Sequence, residues 1–293
     1  MSTVTDRLRG VAPSRETRLG YLFWLSRPRF WLYQGGPVVV AVTYAAAGPS
    51  ELFSPLAVAL FLYFTIPANV FLYGVNDVFD RDVDEHNPKK DEGREVSYRG
   101  DALTVAAIVG SGLLAAAFLP RLPTLGVVAL LAWAALSVEY SAPPLRFKTT
   151  PFLDSLSNGL YILPGVVAYA AVAGVAPPAA AVAGAWLWTM GMHTFSAIPD
   201  IDPDREAGIQ TTATYLGESR TYYYCAACWL AAAATFALTH WAFGALLLVY
   251  PALVFGILAV GVDVEEAYWW YPAINGLVGM AFTLVGLWVM LYG

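Results

Sequence analysis

Charged residues are scarce in this chain. Only 13% of its 293 residues are Asp, Glu, Lys or Arg, whereas hydrophobic residues make up 58%. A soluble domain is about one quarter charged. The mean hydropathy of +0.57 points the same way. The composition therefore excludes a soluble globular enzyme and a disordered protein, and it indicates a polytopic membrane protein built as one domain.

Cysteine and lysine are also rare. Two cysteines, Cys225 and Cys228, are too few for a disulfide scaffold. A CxxC pair can indicate redox or metal chemistry. This pair has no second partner pair and stands in an apolar run, so we interpret it as small packing residues of a membrane helix. Lysine occurs three times against 13 arginines, with a pI of about 5.0. Such usage is compatible with a high-salt organism.

Long apolar stretches dominate what remains. A membrane-spanning helix takes about 20 mostly apolar residues. No alternation of period two is sustained, so the predicted fold class is all-α, a polytopic bundle of nine transmembrane helices. Short turns near residues 120, 177 and 240 predict helical hairpins. The nine predicted spans are 30–47, 55–73, 102–119, 122–138, 156–175, 179–198, 222–239, 242–261 and 270–292.

The charges lie almost entirely on one side of this predicted bundle. Fifteen of the 16 basic residues fall in the N-terminal arm or in the loops after spans 2, 4 and 6, and Arg121 is the exception. The positive-inside rule places that side in the cytoplasm and the C-terminus outside. Of 22 acidic residues, only Glu51 lies on the outer side. We therefore expect a cytoplasmic arm over 1–26, a membrane domain over 27–293, and chemistry at the cytoplasmic face of the cell membrane.

A first acidic cluster directly follows span 2. It contains Asn76, Asp77, Asp80 and Asp84. If the helix continues, Asn76, Asp80 and Asp84 recur every fourth residue and share one face with Asp77. Like charges at this spacing repel one another. The pattern therefore predicts a cation between the carboxylates.

A second acidic cluster directly follows span 6. Asp200 and Asp204 share a helical face, Asp202 should point elsewhere, and Pro203 either kinks or restarts the helix. Carboxylates suit Mg²⁺, which keeps several waters and bridges to substrate phosphates. Two such clusters with metal between them predict a diphosphate clamp. Solvated loop charges are the alternative interpretation.

Further polar residues surround the predicted clamp. Cations would take the remaining phosphate charge, and polar groups at membrane depth are functional candidates by default. For the deeper residues, interhelical hydrogen bonding is the alternative; for His193, whose predicted role is to direct a final water or proton, it is a packed neutral histidine. The candidates for the diphosphate are Arg27, Arg81, Tyr140, Arg146, Lys148 and Arg205. The candidates for a substrate cavity are Asn69, Tyr73, Asn158, Tyr161 and His193.

These motifs resemble those of the UbiA-type intramembrane prenyltransferases. The resemblance covers nearly the whole chain after about residue 20. It implies that Asp77, Asp80, Asp84, Asp200 and Asp204 hold Mg²⁺. One departure is Gly208, where some members of the family have a further aspartate. The matching segments are Asn76-Asp77-x-x-Asp80-x-x-x-Asp84, Asp200-x-x-x-Asp204 with Arg205, Gly208 and Thr212, the loop 140–148 with its Tyr and Lys, and Ser26-Arg27-Pro28.

Within that family, the segments 26–33, 66–80 and 195–204 are similar to the archaeal carotenoid branch, the lycopene elongases. This resemblance implies Mg²⁺-dependent transfer of a dimethylallyl group from dimethylallyl diphosphate to each end of lycopene. The products are C45 and C50 carotenoids on the route to bacterioruberin, and some members also add water across the terminal double bond. The expected partners are the isoprenyl diphosphate, a carotenoid dissolved in membrane lipid and the lipid itself, and no nucleic acid.

Other functions stay open at this point. The same fold could prenylate an aromatic quinone precursor, a tetrapyrrole or a lipid acceptor, whose polar groups need dedicated partners. A hydrocarbon acceptor needs only apolar walls, expected from spans 2, 5 and 6, and a lateral opening. An ion-coupled transporter is the alternative from another class. Coupling sites usually lie near the membrane midplane, whereas the acids here crowd one face.

Overall fold

The computed structural model describes residues 13–80 and 96–292. The predicted site residues Arg81 and Asp84 therefore lie outside the described residues. Over these ranges the secondary structure consists of α-helices and short 3₁₀ turns, without any strand. The predicted all-α fold is confirmed.

The α-helices follow the apolar stretches of the sequence, and every predicted span overlaps at least one of them. A few single-turn helices, such as Leu153–Leu156, join them. The bounds of the helices used below are α1 Arg18–Leu25, α2 Trp31–Ala45, α3 Pro55–Thr65, α4 Pro67–Phe79, α5 Ala102–Leu113, α6 Thr124–Glu139, α7 Leu163–Ala173, α8 Ala179–Ser196, α9 Ile201–Glu206, α10 Thr212–Leu216, α11 Glu218–Ala237, α12 Trp241–Leu247, α13 Val249–Val260 and α14 Val264–Tyr292.

Several of these helical stretches can cross a membrane. Within residues 13–80 and 96–292, five stretches qualify by length and composition, and α6 is a shorter apolar helix. The chain is therefore a multi-pass membrane protein, while the count of nine crossings stays a prediction. The five stretches are Pro55–Phe79, Ala102–Arg121, Leu153–Ala173, Trp241–Val260 and Val264–Tyr292.

The second predicted span is broken at Pro67, where α3 ends and α4 begins. A proline has no N–H and displaces the carbonyls of the preceding turn. The buried Asn69 donates to two of those carbonyls at 2.9 and 3.0 Å. Its own Oδ1 accepts from Gln34 at 3.0 Å, and Gln34 in turn accepts from Trp133 at 2.8 Å. These contacts favour the interhelical hydrogen-bonding interpretation of Asn69.

The helices pack into two neighbouring cores. One, around Phe64 and Trp133, lies among α2, α3, α4, α6 and α7. The other, around Trp229 and Tyr250, lies among α8 and α11 to α14, and it contains the free Cys225. Helix α2 packs against both α7 and α14. The seam between the two cores therefore runs along α2.

Part of the predicted N-terminal arm belongs to this packed structure. Tyr21 and Leu25 of α1 are buried in a smaller cluster with Val70, Val75 and Ile108. The Tyr21 hydroxyl accepts from the backbone N–H of residue 99 at 3.2 Å. Helix α1 thus lies against α4, close to the first acidic cluster.

Candidate functional site

The first acidic cluster lies where α4 ends. Asp77 is in the last turn of the helix and only 2% exposed. An isolated charge at such a position would be very unfavourable. Arg27, from the turn between α1 and α2, approaches it with an Nη2–Oδ1 distance of 3.1 Å. The predicted diphosphate residue Arg27 thus lies beside the predicted metal ligand Asp77.

Asp80 follows immediately as the residue that caps α4. Helix α4 therefore ends at Phe79, and the continuation of the predicted acidic stripe to Asp84 lies outside the described residues. The Asp80 carboxylate forms ion pairs with Lys148 and, at 3.4 Å, with Arg146. Asn76, one turn earlier, accepts a hydrogen bond from Ser141 at 2.8 Å. The loop 140–148 therefore lies against the first acidic cluster.

Three non-glycine residues in the described part of the chain have positive φ, and all three border this region. They are Arg27 at 49°, Arg146 at 41° and Phe152 at 68°. The left-handed conformation costs about 1–2 kcal/mol for an ordinary residue. Backbone strain of this kind collects at functional sites. Two of the three strained residues supply the cations that pair with Asp77 and Asp80.

The second acidic cluster surrounds the first turn of α9. Asp200 precedes the helix, and its carbonyl accepts from the Asp204 N–H at 2.8 Å. Pro203 occupies the first turn, where proline is tolerated, so the helix starts here. The Asp202 side chain is 87% exposed and lies 3.5 Å from Arg205. As its spacing predicts, Asp202 points away from the interior.

Arg205 also binds helix α10. Its Nη2 donates to the backbone carbonyl of Thr214 at 3.1 Å. This contact holds the segment after α9, and its predicted contact with diphosphate stays a prediction.

Gly208 ends α9 with φ of +70°. Glycine adopts this conformation without steric penalty, which is why it commonly terminates helices. The next residue, Ile209, donates to the Asp204 carbonyl at 2.8 Å. The positive φ thus explains why glycine stands at this position, where some members of the family have a further aspartate.

Asp154 is a residue that the sequence reasoning missed. It is 1% exposed at the start of the stretch that leads into α7. Both of its oxygens accept hydrogen bonds from Thr212, one from the backbone N–H at 2.9 Å and one from the hydroxyl. Asn158 donates to the Asp154 carbonyl at 2.6 Å. An acid at the edge of an apolar stretch was the available signal.

Tyr140 and His193 meet above this network. The Tyr140 hydroxyl lies 3.4 Å from His193 Nε2. Burial raises the pKa of Tyr140 well above its usual value, and Tyr161, Asp154 and Asp80 add to the shift. The hydroxyl therefore stays protonated at neutral pH and can donate to an anion. The segment 140–154 therefore contacts the first acidic cluster, at Asn76 and Asp80, and also Thr212, which follows the second cluster in the sequence.

Four aromatic rings contact one another in a closed group next to the first acidic cluster. We call Phe30, Tyr33, Tyr73 and Tyr161 the aromatic quartet. Ring centroids are 5.3 Å apart for Phe30–Tyr33, 6.1 Å for Tyr33–Tyr161 and 6.3 Å for Phe30–Tyr73. The Tyr73 and Tyr161 hydroxyls are 3.4 Å apart. The Arg27 guanidinium lies 4.6 Å from the centre of the Tyr73 ring, so the quartet adjoins the charged site.

A large apolar cavity begins at the quartet. Its volume is about 630 Å³, and its walls come from α2, α7, α8 and α11 to α14. Tyr33 belongs both to the quartet and to the cavity wall. Leu32, Met280 and Leu284 line it and are also exposed on the outer surface, which marks a lateral mouth between α2 and α14.

This cavity differs in part from the expected one. The prediction that span 2 contributes to the wall is wrong, because α3 and α4 supply none of the described lining residues. Spans 5 and 6 do supply walls, as predicted. Helices α3 and α4 instead pack into the first core. The following predicted cavity residues lie outside the lining: Asn69, Tyr73, Asn158, Tyr161 and His193.

The described residues contain no group of three or more His, Cys, Asp or Glu side chains close enough to hold a metal ion. The predicted ligands that the structure describes are the carboxylates of Asp77 and Asp80 in the first acidic cluster and of Asp200 and Asp204 in the second. Mg²⁺ in phosphate sites is bound by one or two carboxylates together with waters and substrate oxygens. The residues therefore fit a metal that arrives with a diphosphate, and not a closed structural site.

Comparison with known proteins agrees with this geometry. The model of the UbiA prenyltransferase family matches residues 36–273. A lycopene elongase/hydratase from Haloarcula japonica is 78% identical, over 99% of this chain and 98% of its own length. One from Haloferax volcanii is 63% identical, over 94% of this chain and 91% of its own length. The chain belongs to the UbiA prenyltransferase family.

Solved structures show the same fold. A UbiA homolog from Archaeoglobus fulgidus bound to DMAPP and Mg²⁺ has a TM-score of 0.69 at 20% identity, covering 91% of this chain and 98% of its own. The same homolog bound to GPP and Mg²⁺ has a TM-score of 0.68 at 22% identity, covering 91% and 99%. The UbiA-like helical fold expected from the motifs is confirmed.

Proposed function

We propose that this protein transfers a dimethylallyl group from dimethylallyl diphosphate to the ends of lycopene. The observation that carries the proposal is the joining of a carboxylate-rich site to a lateral apolar cavity through the aromatic quartet. The names of the relatives at 78% and 63% identity support the same acceptor. The lateral mouth suits an acceptor that reaches the site from the bilayer.

The charged residues would bind the diphosphate. Lys148 and Arg146 already lie at Asp80, so phosphate oxygens held there receive their hydrogen bonds. Arg27 and the neutral Tyr140 hydroxyl offer further donors. When bound by Asp77, Asp80, Asp200 and Asp204, Mg²⁺ would stabilise the negative charge that develops on the leaving diphosphate. We place Arg81 and Asp84 in the same site on the motif alone.

The reaction then uses the quartet and the cavity. The C–O bond of the donor breaks, and its electron pair leaves with the diphosphate. The faces of the quartet rings attract the allylic cation and exclude stray water. The terminal double bond of the acceptor supplies the electrons for the new C–C bond. The resulting tertiary cation loses a proton or captures water.

The cavity favours a hydrocarbon acceptor over a charged one. Its wall on α2 runs from Leu32 to Tyr44, about 18 Å at the helical rise. Arg29 is the cation among the described lining residues. Its guanidinium donates to the Trp269 carbonyl at 2.8 Å and lies 3.8 Å from the centre of that indole. A carboxylated aromatic acceptor would have to compete with these contacts.

The predicted orientation completes the proposal. We place the two acidic clusters at the cytoplasmic face and the C-terminus outside, on the asymmetry of the basic residues. The donor would then arrive from the cytoplasm and the acceptor from the bilayer.

The test uses membranes that contain the protein, lycopene, labelled dimethylallyl diphosphate and Mg²⁺. We expect labelled C45 and C50 carotenoids, and loss of both when a chelator removes the metal. Parallel reactions replace lycopene by an aromatic, a tetrapyrrole or a glycerol phosphate acceptor. Prenylation of one of these, with no lycopene product, would refute the carotenoid acceptor and leave the family assignment intact.

A further inference from the structure

Three polar side chains form a hydrogen-bonded chain across the apolar cavity. Tyr250 on α13 donates to Asn275 Oδ1 on α14 at 2.8 Å. Asn275 Nδ2 donates to the Tyr33 hydroxyl on α2 at 3.3 Å. All three line the cavity, and we call them the polar trio. Polar groups in such surroundings are costly, and inside a membrane protein they mark function by default.

Other hydroxyls of the cavity wall are used differently. Tyr44 donates to the Phe282 carbonyl at 2.9 Å, Thr239 to the Phe236 carbonyl at 2.6 Å and Thr283 to the Gly279 carbonyl at 2.9 Å. Each of these groups is satisfied by a backbone carbonyl, which for the two threonines lies within four residues in the sequence. The members of the polar trio instead bind one another across three helices.

The trio retains hydrogen-bonding capacity. Within the described part of the chain, neither the Tyr33 hydroxyl hydrogen nor the second Nδ2 hydrogen of Asn275 has an acceptor. A buried water needs two to four polar partners. These two donors, together with the remaining lone pairs of the same groups, supply them at one point of a largely apolar wall.

The position of that point is chemically informative. Tyr33 is also a member of the aromatic quartet, against which the proposed allylic group lies. The end of an acceptor that reacts beside the quartet would therefore carry its new tertiary cation next to Tyr33. A water bound by the trio would lie within reach of that carbon.

Resting on the proposed function, we infer that the polar trio holds the water that hydrates the elongated chain. The water oxygen gives a lone pair to the tertiary cation, and a C–O bond forms. The oxonium then releases one proton, which the departed diphosphate accepts. The trio positions the water and undergoes no net change. Without it, the cation loses a proton from carbon and yields an alkene.

The experiment measures the ratio of hydroxylated to alkene product in the lycopene assay, with H₂¹⁸O as solvent. Tyr33→Phe removes one hydroxyl and keeps the ring, and Asn275→Leu removes the central amide. We expect wild-type product to carry ¹⁸O, and each variant to lower the ratio about tenfold, which corresponds to about 1.4 kcal/mol between the two fates of the cation. The ratio is independent of how much active protein each membrane holds.

Thr235→Val serves as the control, because that hydroxyl donates to the Ala231 carbonyl of its own helix at 2.7 Å and Thr235 is not among the described residues that line the cavity. Its ratio should equal that of the wild type. An unchanged ratio in both trio variants would overturn the inference while elongation continues. Elongated wild-type product without any ¹⁸O hydroxyl would overturn it as well. Failure of the proposed function looks different, because no C45 or C50 product would form at all.

Discussion

At the scale of single residues, the charged site is built from pairs that come from distant parts of the chain. Arg27 and Asp77 are 50 positions apart, and Lys148 and Asp80 are 68 apart. Each cation neutralises a carboxylate that would otherwise be poorly solvated. The same cations are positioned to bind an anion once the carboxylates coordinate a metal.

The acidic residues give the most direct test of this site. We expect Asp80→Asn and Asp204→Asn each to lower kcat about a thousandfold, because a lost metal-bridging carboxylate removes several kcal/mol of transition-state stabilisation. The measurement is the initial rate of lycopene conversion at saturating Mg²⁺.

Asp202→Asn is the matched control for these variants, since its carboxylate points into solvent. It should lose far less activity. Near-normal rates for Asp80→Asn or Asp204→Asn in correctly inserted protein would refute the metal clamp.

The aromatic quartet makes a prediction about the donor. Tyr73 lies one helical turn before Asp77, about 6 Å deeper along the axis of α4. This depth suits a five-carbon group. We expect Tyr161→Ala to open this space and to raise the use of geranyl diphosphate relative to dimethylallyl diphosphate about tenfold. Competition between the two donors, read as product masses, measures the preference.

Tyr223→Ala, on the exposed face of α11, is the control for this change. It should keep the wild-type donor preference. If Tyr161→Ala also keeps it, the quartet does not limit donor length.

The spacing of the acidic residues in the sequence predicts on which face of a helix each of them lies. Helical periodicity correctly predicted that the Asp202 side chain points away from the interior. Periodicity could not show how Asp154 is paired, because its partner Thr212 lies 58 positions away and no local pattern encodes that contact. Ser141, which binds Asn76 from 65 positions away, was missed for the same reason.

At the scale of helices, hydropathy located the spans because membrane helices are apolar over their whole length. It could not place the break at Pro67, where Asn69 replaces the lost backbone hydrogen bonds. Nor could it show that α1 packs against α4, since that contact uses a short helix of mixed composition. Boundaries set by side-chain hydrogen bonds need the three-dimensional arrangement.

The pairing of Asp154 with Thr212 predicts coupling between the short helix Leu153–Leu156 and helix α10. We expect Asp154→Ala and Thr212→Val each to destabilise the protein by about 1–3 kcal/mol, because each leaves a buried polar group unpaired. The double variant should cost less than the sum of the two. Thermal unfolding in detergent measures all three.

The exposed pair of Asp202 and Arg205 provides the comparison. Surface ion pairs contribute about 0–1 kcal/mol, so Asp202→Ala should change stability little. Strict additivity of Asp154→Ala and Thr212→Val would mean that the two short helices are not held together by this contact.

At the scale of the whole molecule, the composition predicts an apolar cavity but not which helices form its walls. A hydrocarbon acceptor implies apolar walls, yet nearly every helix here has apolar faces. Which faces meet depends on packing between helices far apart in sequence, such as α2 and α14. This is why α14, which had no expected role in substrate binding, supplies part of the wall.

Filling the cavity should block the acceptor. Gly165 is a poor position for this test, since an added Cβ there would lie 2.9 Å from the Pro37 carbonyl oxygen and push α2 from α7. Gly276 lines the cavity and has no atom within 4 Å of an added Cβ. We expect Gly276→Phe to reduce lycopene conversion about tenfold or more, with little change in binding of the diphosphate donor.

Gly256→Phe is the matched control, because Gly256 has equally open surroundings but lies outside this cavity. It should convert lycopene at the wild-type rate. Equal loss in both variants would show that added bulk, and not the filled cavity, lowers activity.

The lateral mouth between α2 and α14 has a consequence for the order of products. A wall of about 18 Å receives one end of a C40 polyene, while the rest of the molecule stays among the lipids. The singly extended carotenoid must therefore diffuse out, turn and return with its other end. Extra lipid should therefore dilute the released C45 carotenoid in the membrane and slow only the second addition. At constant protein and a constant lycopene-to-lipid ratio, we expect added lipid to raise the ratio of C45 to C50 carotenoid at early times.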